Sequence, residues 1–398
     1  MANFDNTMQA LGTALHKCRH LWQPEPFHQT SSPWINSEPE LHAALMALSH
    51  AEVHDLLQDS QRCTAWLEEI LPSTINALNI WQPTLQSEQK HFGQPSIANG
   101  IPGRKWQQIN YFSLLIDGLP PRMSNMDWCS GKGYLSTTLA WHHGIVFSHC
   151  LELDKKLCHI GKERAYDLEI DIDYHCLDVL KPIPDTIITQ ADRHTALHAC
   201  GGLHRNMLKQ VTQHAEQIVL SPCCYHLYNT PDANWLSETG RQLSLTFDRL
   251  TLRIPLLETV TGGERAQRLR ETEIIWRRAY ESWRQAFTQE FEYRTLASAP
   301  KSLFTQKVHD FFAWAADQHG LKWDRTIDPE PYLNKGKHQF ELSERLEIVR
   351  QGVKRFLEYY IVLDLACYLL EQNYQVDVIE FCPKQTTPRN LALVAQRY

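Results

Sequence analysis

Over residues 1–95 the apolar positions recur three and four apart. Glu40–Leu57 (ELHAALMALSHAEVHDLL) sets Leu, Ala and Met at that spacing after a Ser-Glu-Pro start, and Cys63–Leu78 continues it. Period-two alternation is missing here, so the pattern predicts a helical N-terminal domain without strands. Phe92–Gly103 (FGQPSIANGIPG) reads as a linker, because Gly and Pro punctuate it repeatedly. The texture then changes. Arg104–Ile116 is amphipathic and stops at Gly118-Leu119-Pro120-Pro121. Short apolar runs follow at Met123–Cys129, Ile145–Leu151, Ile170–Cys176, Thr195–Ala199 and Gln217–Ser221, with a short strand or turn at Thr186–Thr189. Helical stretches (Leu135–His143, Asp154–Tyr166, His204–His214) separate them. Such alternation predicts a parallel sheet with crossover helices.

Helical spacing returns from about 228 to 340, with long patterns at Glu264–Glu292 and Ser302–His319 and breaks at Pro300, Gly320, Pro329, Pro331 and Gly336. Ser343–Glu371 reads as a further helix with Ser343 as its N-cap. Gln375–Phe381 alternates with period two, and Asn390–Ala395 forms a second run. Two isolated strands need a sheet to join, and the nearest is the earlier α/β unit. The expected architecture is therefore α/β, with a split core. A helical N-terminal domain covers 1–95 and the first part of the core 96–230. A helical insertion covers 231–342, and residues 343–398 return to the core with a helix and two strands.

Composition narrows the class. Of 398 residues, 43% are apolar and 21% charged, which suits a packed globular chain. The formal net charge of −7 excludes a global basic field and moves any nucleic-acid contact to a local face. Eleven cysteines, an odd number scattered over a long chain, do not make a disulfide framework. They suit reduced thiols in a cytoplasmic protein. The first twenty residues have no continuous apolar stretch and do not read as a signal peptide. Tyr359–Leu370, the longest apolar run, is interrupted by Asp364 and is too short to span a membrane.

Chemistry enters at Met126-Asp127-Trp128-Cys129-Ser130-Gly131-Lys132-Gly133-Tyr134. A strand ends in a turn whose glycines leave room for a ligand, and a helix starts with free amides that favour an anion. Asp127, Ser130, Gly131, Lys132 and Gly133 are the candidate cofactor contacts of this turn. Glu152 ends the second strand, where an acid binds ribose hydroxyls in doubly wound folds. Asp178 follows the third strand and is placed to accept from an adenine amino group. A dinucleotide fingerprint would want a third glycine at Ser136, which disfavours NAD. S-adenosylmethionine is the better fit.

The run D-W-C-S-G-K-G-Y-L-S resembles the D-x-x-x-G-K-G-x-L-S turn of a class I methyltransferase family. That family includes the eukaryotic methyltransferase-like proteins once described as ribosomal-RNA adenine dimethylase-like, and bacterial relatives. Leu197-His198-Ala199-Cys200-Gly201-Gly202-Leu203 resembles its L-H-A-C-G-D-L, with Gly202 where the family often has Asp. Ser221-Pro222-Cys223-Cys224-Tyr225-His226 resembles its C-C-Y stretch, and Thr387-Pro388-Arg389-Asn390-Leu391-Ala392 its S-P-R-N-L-A. The tRNA acceptor-stem ribose methyltransferases carry similar H-x-C-G and C-C-H elements. The resemblance covers about 104–230 and 345–398. It implies a Rossmann-like sheet, S-adenosylmethionine as cofactor and RNA as the expected acceptor and partner. A protein methyltransferase, or a non-catalytic cofactor-binding scaffold, are the alternatives. An N-P-P-Y motif is missing, which weakens base N-methylation.

The ends of the fourth and fifth strands should flank the sulfonium. His198 and His226 are candidate general bases, each weighed against a loop-holding histidine. Cys223 and Cys224 are candidate nucleophiles, weighed against small packing residues. Cys200 is a candidate cofactor contact. Cys200, Cys223, Cys224 and His226 have metal-ligand chemistry, but adjacent cysteines are poor spacing around one ion, so no metal is expected. Arg104, Lys105 and Gln108 either cap the cofactor or are solvated groups of an ordinary amphipathic helix, and Arg389 and Asn390 either meet substrate or lie on a solvent-facing turn. Glu264–Arg284 interleaves arginines with Trp276, Tyr280 and Trp283, which either stack bases or form a buried stripe.

Overall fold

The computed structural model describes residues 3–86, 95–228, 235–257 and 264–398. Part of the expected linker (92–94) and the expected boundary at 230/231 lie outside them. Eight strands form one sheet: β1 (Thr84–Leu85), β2 (Ser124–Trp128), β3 (Phe147–Glu152), β4 (Ile172–Cys176), β5 (Arg193–Cys200), β6 (Gln217–Cys223), β7 (Tyr374–Glu380) and β8 (Leu391–Arg397). Their order is β1-β7-β8-β6-β5-β2-β3-β4. β2 to β6 run parallel, and β8 lies antiparallel between β6 and β7. The chain thus reverses its winding between β2 and β5, which opens a crevice at the carboxyl ends of those strands. This is the Rossmann-like α/β sheet expected, with the last two strands joining it as predicted.

Burial explains the strand textures. β6 is buried at every position, as a central parallel strand covered on both faces must be. β7 alternates buried and exposed over its first five residues, which is why its period-two pattern was visible. Ile109, Phe112, Leu135, Leu139, Val219, Phe381 and Ala392 close one core around the sheet.

Several local expectations change. Thr84–Leu85 is a strand, parallel to β7, although the N-terminal region was expected to have none; two residues carry no readable period. Of the strand or turn expected at Thr186–Thr189, the structure has the turn, a helical one over Asp185–Ile188. The long C-terminal helix spans Glu330–Glu371, with Pro331 in its first turn. Ser343 therefore sits inside it, and its hydroxyl donates to the Phe340 carbonyl instead of capping. Asp364 is buried and accepts from the Leu236 and Ser237 amides and the Ser237 hydroxyl. That explains a charge inside the longest apolar run.

The chain divides into two compact units. One comprises residues 1–16, 77–256 and 356–398 and contains the whole sheet. The other comprises residues 17–76 and 257–355. Its core gathers Tyr280, Trp283, Phe311, Phe312 and Trp323. Of the aromatics interleaved with the arginines, Tyr280 at 0% exposed and Trp283 at 2% are therefore buried, and Trp276 is partly buried against Phe304 and Phe311. Arg284 is buried as well, in a two-bond pair with Glu281 at 2.7 and 2.8 Å. Arg278 lies 4.6 Å over the Phe27 ring. These residues hold the unit together and are not available to stack bases. Among the described residues no helix is long and apolar enough to cross a membrane.

Candidate active site

The carboxyl ends of β2 and β3 build the first half of the site. The Ser130 amide donates to the Leu151 carbonyl, and the Gly133 amide to the Ser130 carbonyl. Gly131 then adopts φ +58°, and a Cβ built on it would meet nothing within 4 Å. The turn is open where a ligand would have to approach the backbone. Glu152 reaches across the strand ends. Its carboxylate accepts from the Gly131 amide at 2.9 Å and from the Asp154 amide at 2.9 Å. The acid expected to hold ribose also fastens the glycine turn. Lys132 lies partly buried on the same turn. Asp178 accepts from the Leu180 amide and so shapes the turn after β4.

Asp127 is 2% exposed. Burial pushes its carboxyl up to about 7, against a hydrogen bond from Ser136 and the nearby Lys105 charge. The Ser136 hydroxyl donates to Asp127 at 3.0 Å and lies 3.1 Å from the Cys150 sulfur. The residue that broke the dinucleotide fingerprint therefore holds the buried carboxylate in place. This role was missed because a serine nine residues on signals nothing by itself.

The ends of β5 and β6 build the second half. Pairing between them is regular up to Leu197 and Ser221, then shifts and resumes at Cys200 and Cys223. That bulge puts His198 at φ +69°. Cys224 is also left-handed, at φ +51°, and so is Cys129 at the end of β2, at φ +57°. Three of the six such non-glycine residues among the described ones fall at these strand ends, where strained backbone re-aims side chains. Gly201 closes the bulge at φ +57°, and a Cβ there would lie 2.6 Å from the Leu227 carbonyl oxygen.

The His198 ring nitrogen Nε2 lies 2.8 Å from Gln108 Oε1, so that nitrogen carries the proton and donates. Burial and the charges of Lys105 and Arg389 press its basicity down to about 4. It is thus a neutral, positioned imidazole and a weak base. Gln108 and Arg104 both donate to the Thr386 carbonyl, which ties their helix (Gly103–Leu114) to the turn before Asn390. Asn390 is buried and donates to the Cys382 carbonyl, so it holds that turn. His226 is partly exposed, and its buried Nδ1 makes no hydrogen bond. Burial, then Arg253, Arg249 and Arg389, lower its basicity. Cys223 is 3% exposed, and hydrogen bonding to Cys200 together with burial pushes its thiol up. That placement speaks against Cys223 as a free nucleophile; hydrogen bonding with Cys223 holds the neighbouring Cys200, expected to touch cofactor, below the ordinary thiol range.

The family model of a methyltransferase domain matches residues 104–231. The methyl donor that the sequence motifs imply for such a domain is S-adenosylmethionine. No curated protein matches the chain. Solved structures similar to it include TrmK of M. capricolum in complex with S-adenosyl-homocysteine, at 14% identity over 28% of this chain and 50% of that one, TM-score 0.25. Another is the amino pentose methyltransferase CalS10 of Micromonospora echinaspora, at 16% identity over 34% and 59%, TM-score 0.25. A third is a geranyl diphosphate methyltransferase, at 14% identity over 30% and 45%, TM-score 0.26. The chain spans about half the length of these solved chains.

The residues of the domain fit the cofactor. The open cradle at Gly131 leaves space for its amino-acid end. The buried Asp127 carboxylate lacks a full counter-charge, which an α-ammonium supplies. When bound, the cofactor supplies an electrophilic methyl group on sulfur. The protein's share is to bind, orient and dry the site.

Proposed function

We propose that the protein is an S-adenosylmethionine-dependent methyltransferase whose acceptor is RNA. Asp127, Gly131, Gly133, Glu152 and Asp178 hold the donor in this reading. The observation that supports an RNA acceptor is a group of cations around the two histidines. Lys105 and Arg389 act on His198, while Arg253, Arg249 and Arg389 act on His226. Lys105 in turn senses Lys132. Arg249 and Arg253 are exposed. In a chain of net charge −7, these five cations supply local positive charge of the kind that phosphates require. The motif resemblance to tRNA ribose methyltransferases points the same way.

His226 is the better-placed base for a hydroxyl acceptor. Its ring is partly exposed, whereas burial presses the basicity of His198 down to about 4. The test is transfer of a labelled methyl group from S-adenosylmethionine into cell extract, followed by separate RNase and protease digestion. Label released by RNase and retained after protease is the expected result. Label that survives RNase and vanishes with protease assigns a protein acceptor and overturns the RNA reading.

A further inference from the structure

We propose that Cys200, Cys223 and Cys224 bind a thiophilic divalent cation, zinc foremost, between the ends of β5 and β6. Their sulfurs all lie within 4.8 Å of one another. Cys200 Sγ and Cys223 Sγ are 3.5 Å apart, and the structure holds all three as free thiols. Around a tetrahedral zinc with Zn–S near 2.3 Å, two sulfurs sit about 3.8 Å apart. Ligation therefore needs movements of an ångström or less.

The backbone explains how adjacent cysteines manage this. In an extended strand, residues 223 and 224 would point to opposite faces of the sheet. Cys224 leaves the strand at φ +51°, which turns its side chain back toward that of its neighbour. The bulge after Leu197 then restores the pairing of Cys200 with Cys223, so the third sulfur arrives from the adjoining strand. The spacing argument against a metal fails here because it assumes an extended chain. Three thiolates on a dication carry one net negative charge, and Arg389 acts on both Cys200 and Cys224 to offset it. A set of soft sulfur ligands selects zinc or copper(I) over magnesium and calcium. Cys200 and Cys224 are partly exposed, which gives an ion a way in. Three protein ligands leave the fourth position for water or an acceptor atom, as in catalytic rather than structural zinc sites. The proposal concerns the metal alone and stands whatever the acceptor is.

The test uses the full chain, reduced and stripped of metal, titrated with Co²⁺ and then Zn²⁺. The expected result is a thiolate-to-cobalt charge-transfer band that saturates at one equivalent and is displaced by one equivalent of Zn²⁺. C200S and C224S should each weaken cobalt binding by at least ~10-fold. Where a variant misfolds, peptide mass spectrometry of the alkylated wild type decides: Zn²⁺ should protect these three thiols and leave Cys176, which is exposed, reactive. Overturning results are no band in excess Co²⁺, a band of full intensity in C200S, or thiols that Zn²⁺ fails to protect.

Discussion

The two halves of the candidate site are built in different ways. At the ends of β2 and β3, the functional parts lie in one continuous stretch, from Met126 to Glu152, and backbone amides do most of the holding. Glu152 accepts two of them, and Gly131 faces open space. At the ends of β5 and β6, side chains from distant segments meet on strained backbone. His198 and Cys224 are left-handed, and Gln108, ninety residues away, positions the His198 ring. The first half is a receptacle whose space must stay empty of protein. The second is a packed device in which the protein itself fills the space. Their tolerance of change should differ accordingly.

Glycine substitutions test this most sharply. Gly201→Ala forces a side chain into left-handed backbone and against the Leu227 carbonyl at 2.6 Å. It should destabilise the fold by ~3 kcal/mol, read as a clear fall in Tm. Gly131→Ala meets no atom and should lose only ~1 kcal/mol. Equal losses for the two would erase the distinction between the halves. Next, Gly131→Trp should leave the protein folded but raise the calorimetric Kd for S-adenosylmethionine about 100-fold, or ~2.7 kcal/mol. A Kd close to wild type would show that the donor does not use this cradle.

Asp127→Asn should follow, at about 10-fold in the same Kd at pH 8, or ~1.4 kcal/mol. Its pH dependence is the sharper readout. The free carboxyl titrates near 7, above its ordinary range, and only its ionised form pairs with the donor's ammonium. Wild-type affinity should therefore be full above pH 7 and fall as pH drops below it, while the variant stays flat across that step. An identical profile for both would remove Asp127 from the binding site. The smallest effect belongs to the acceptor side. Arg253→Gln should weaken RNA binding about 3-fold and reduce the slope of log affinity against log salt by ~1. Filter binding across a salt series measures it, and an unchanged slope would take Arg253 off the RNA path.

The same contrast governs what could be read from residues. Asp127, Gly131, Gly133 and Glu152 were legible because strand, turn, helix and strand follow one another at fixed spacing. Ser136 was read as a missing glycine, since its hydrogen bond to Asp127 depends on where the helix sets it. The convergence of Cys200, Cys223 and Cys224 was read as poor ligand spacing, since neither the bulge nor the left-handed turn leaves a compositional trace. In the second unit, the buried stripe of Tyr280 and Trp283 was one of two readings of a mixed arginine and aromatic pattern. Burial chose between them.

What the sequence determined by itself was local: the alternation of strand and helix, the glycine turn, the acids at the next strand ends, and the need of the last two strands for a sheet. Each follows from the side-chain period or from a backbone conformation that few residues tolerate. What only the tertiary structure decided was everything that depends on register and on segments far apart in the chain. That includes the grouping of residues 17–76 with 257–355, the seat of β1 beside β7, and the meeting of Gln108 with His198. It also includes the bulge that brings three sulfurs together. Long-range contacts are selected by the fit of whole surfaces, and no single segment carries that information.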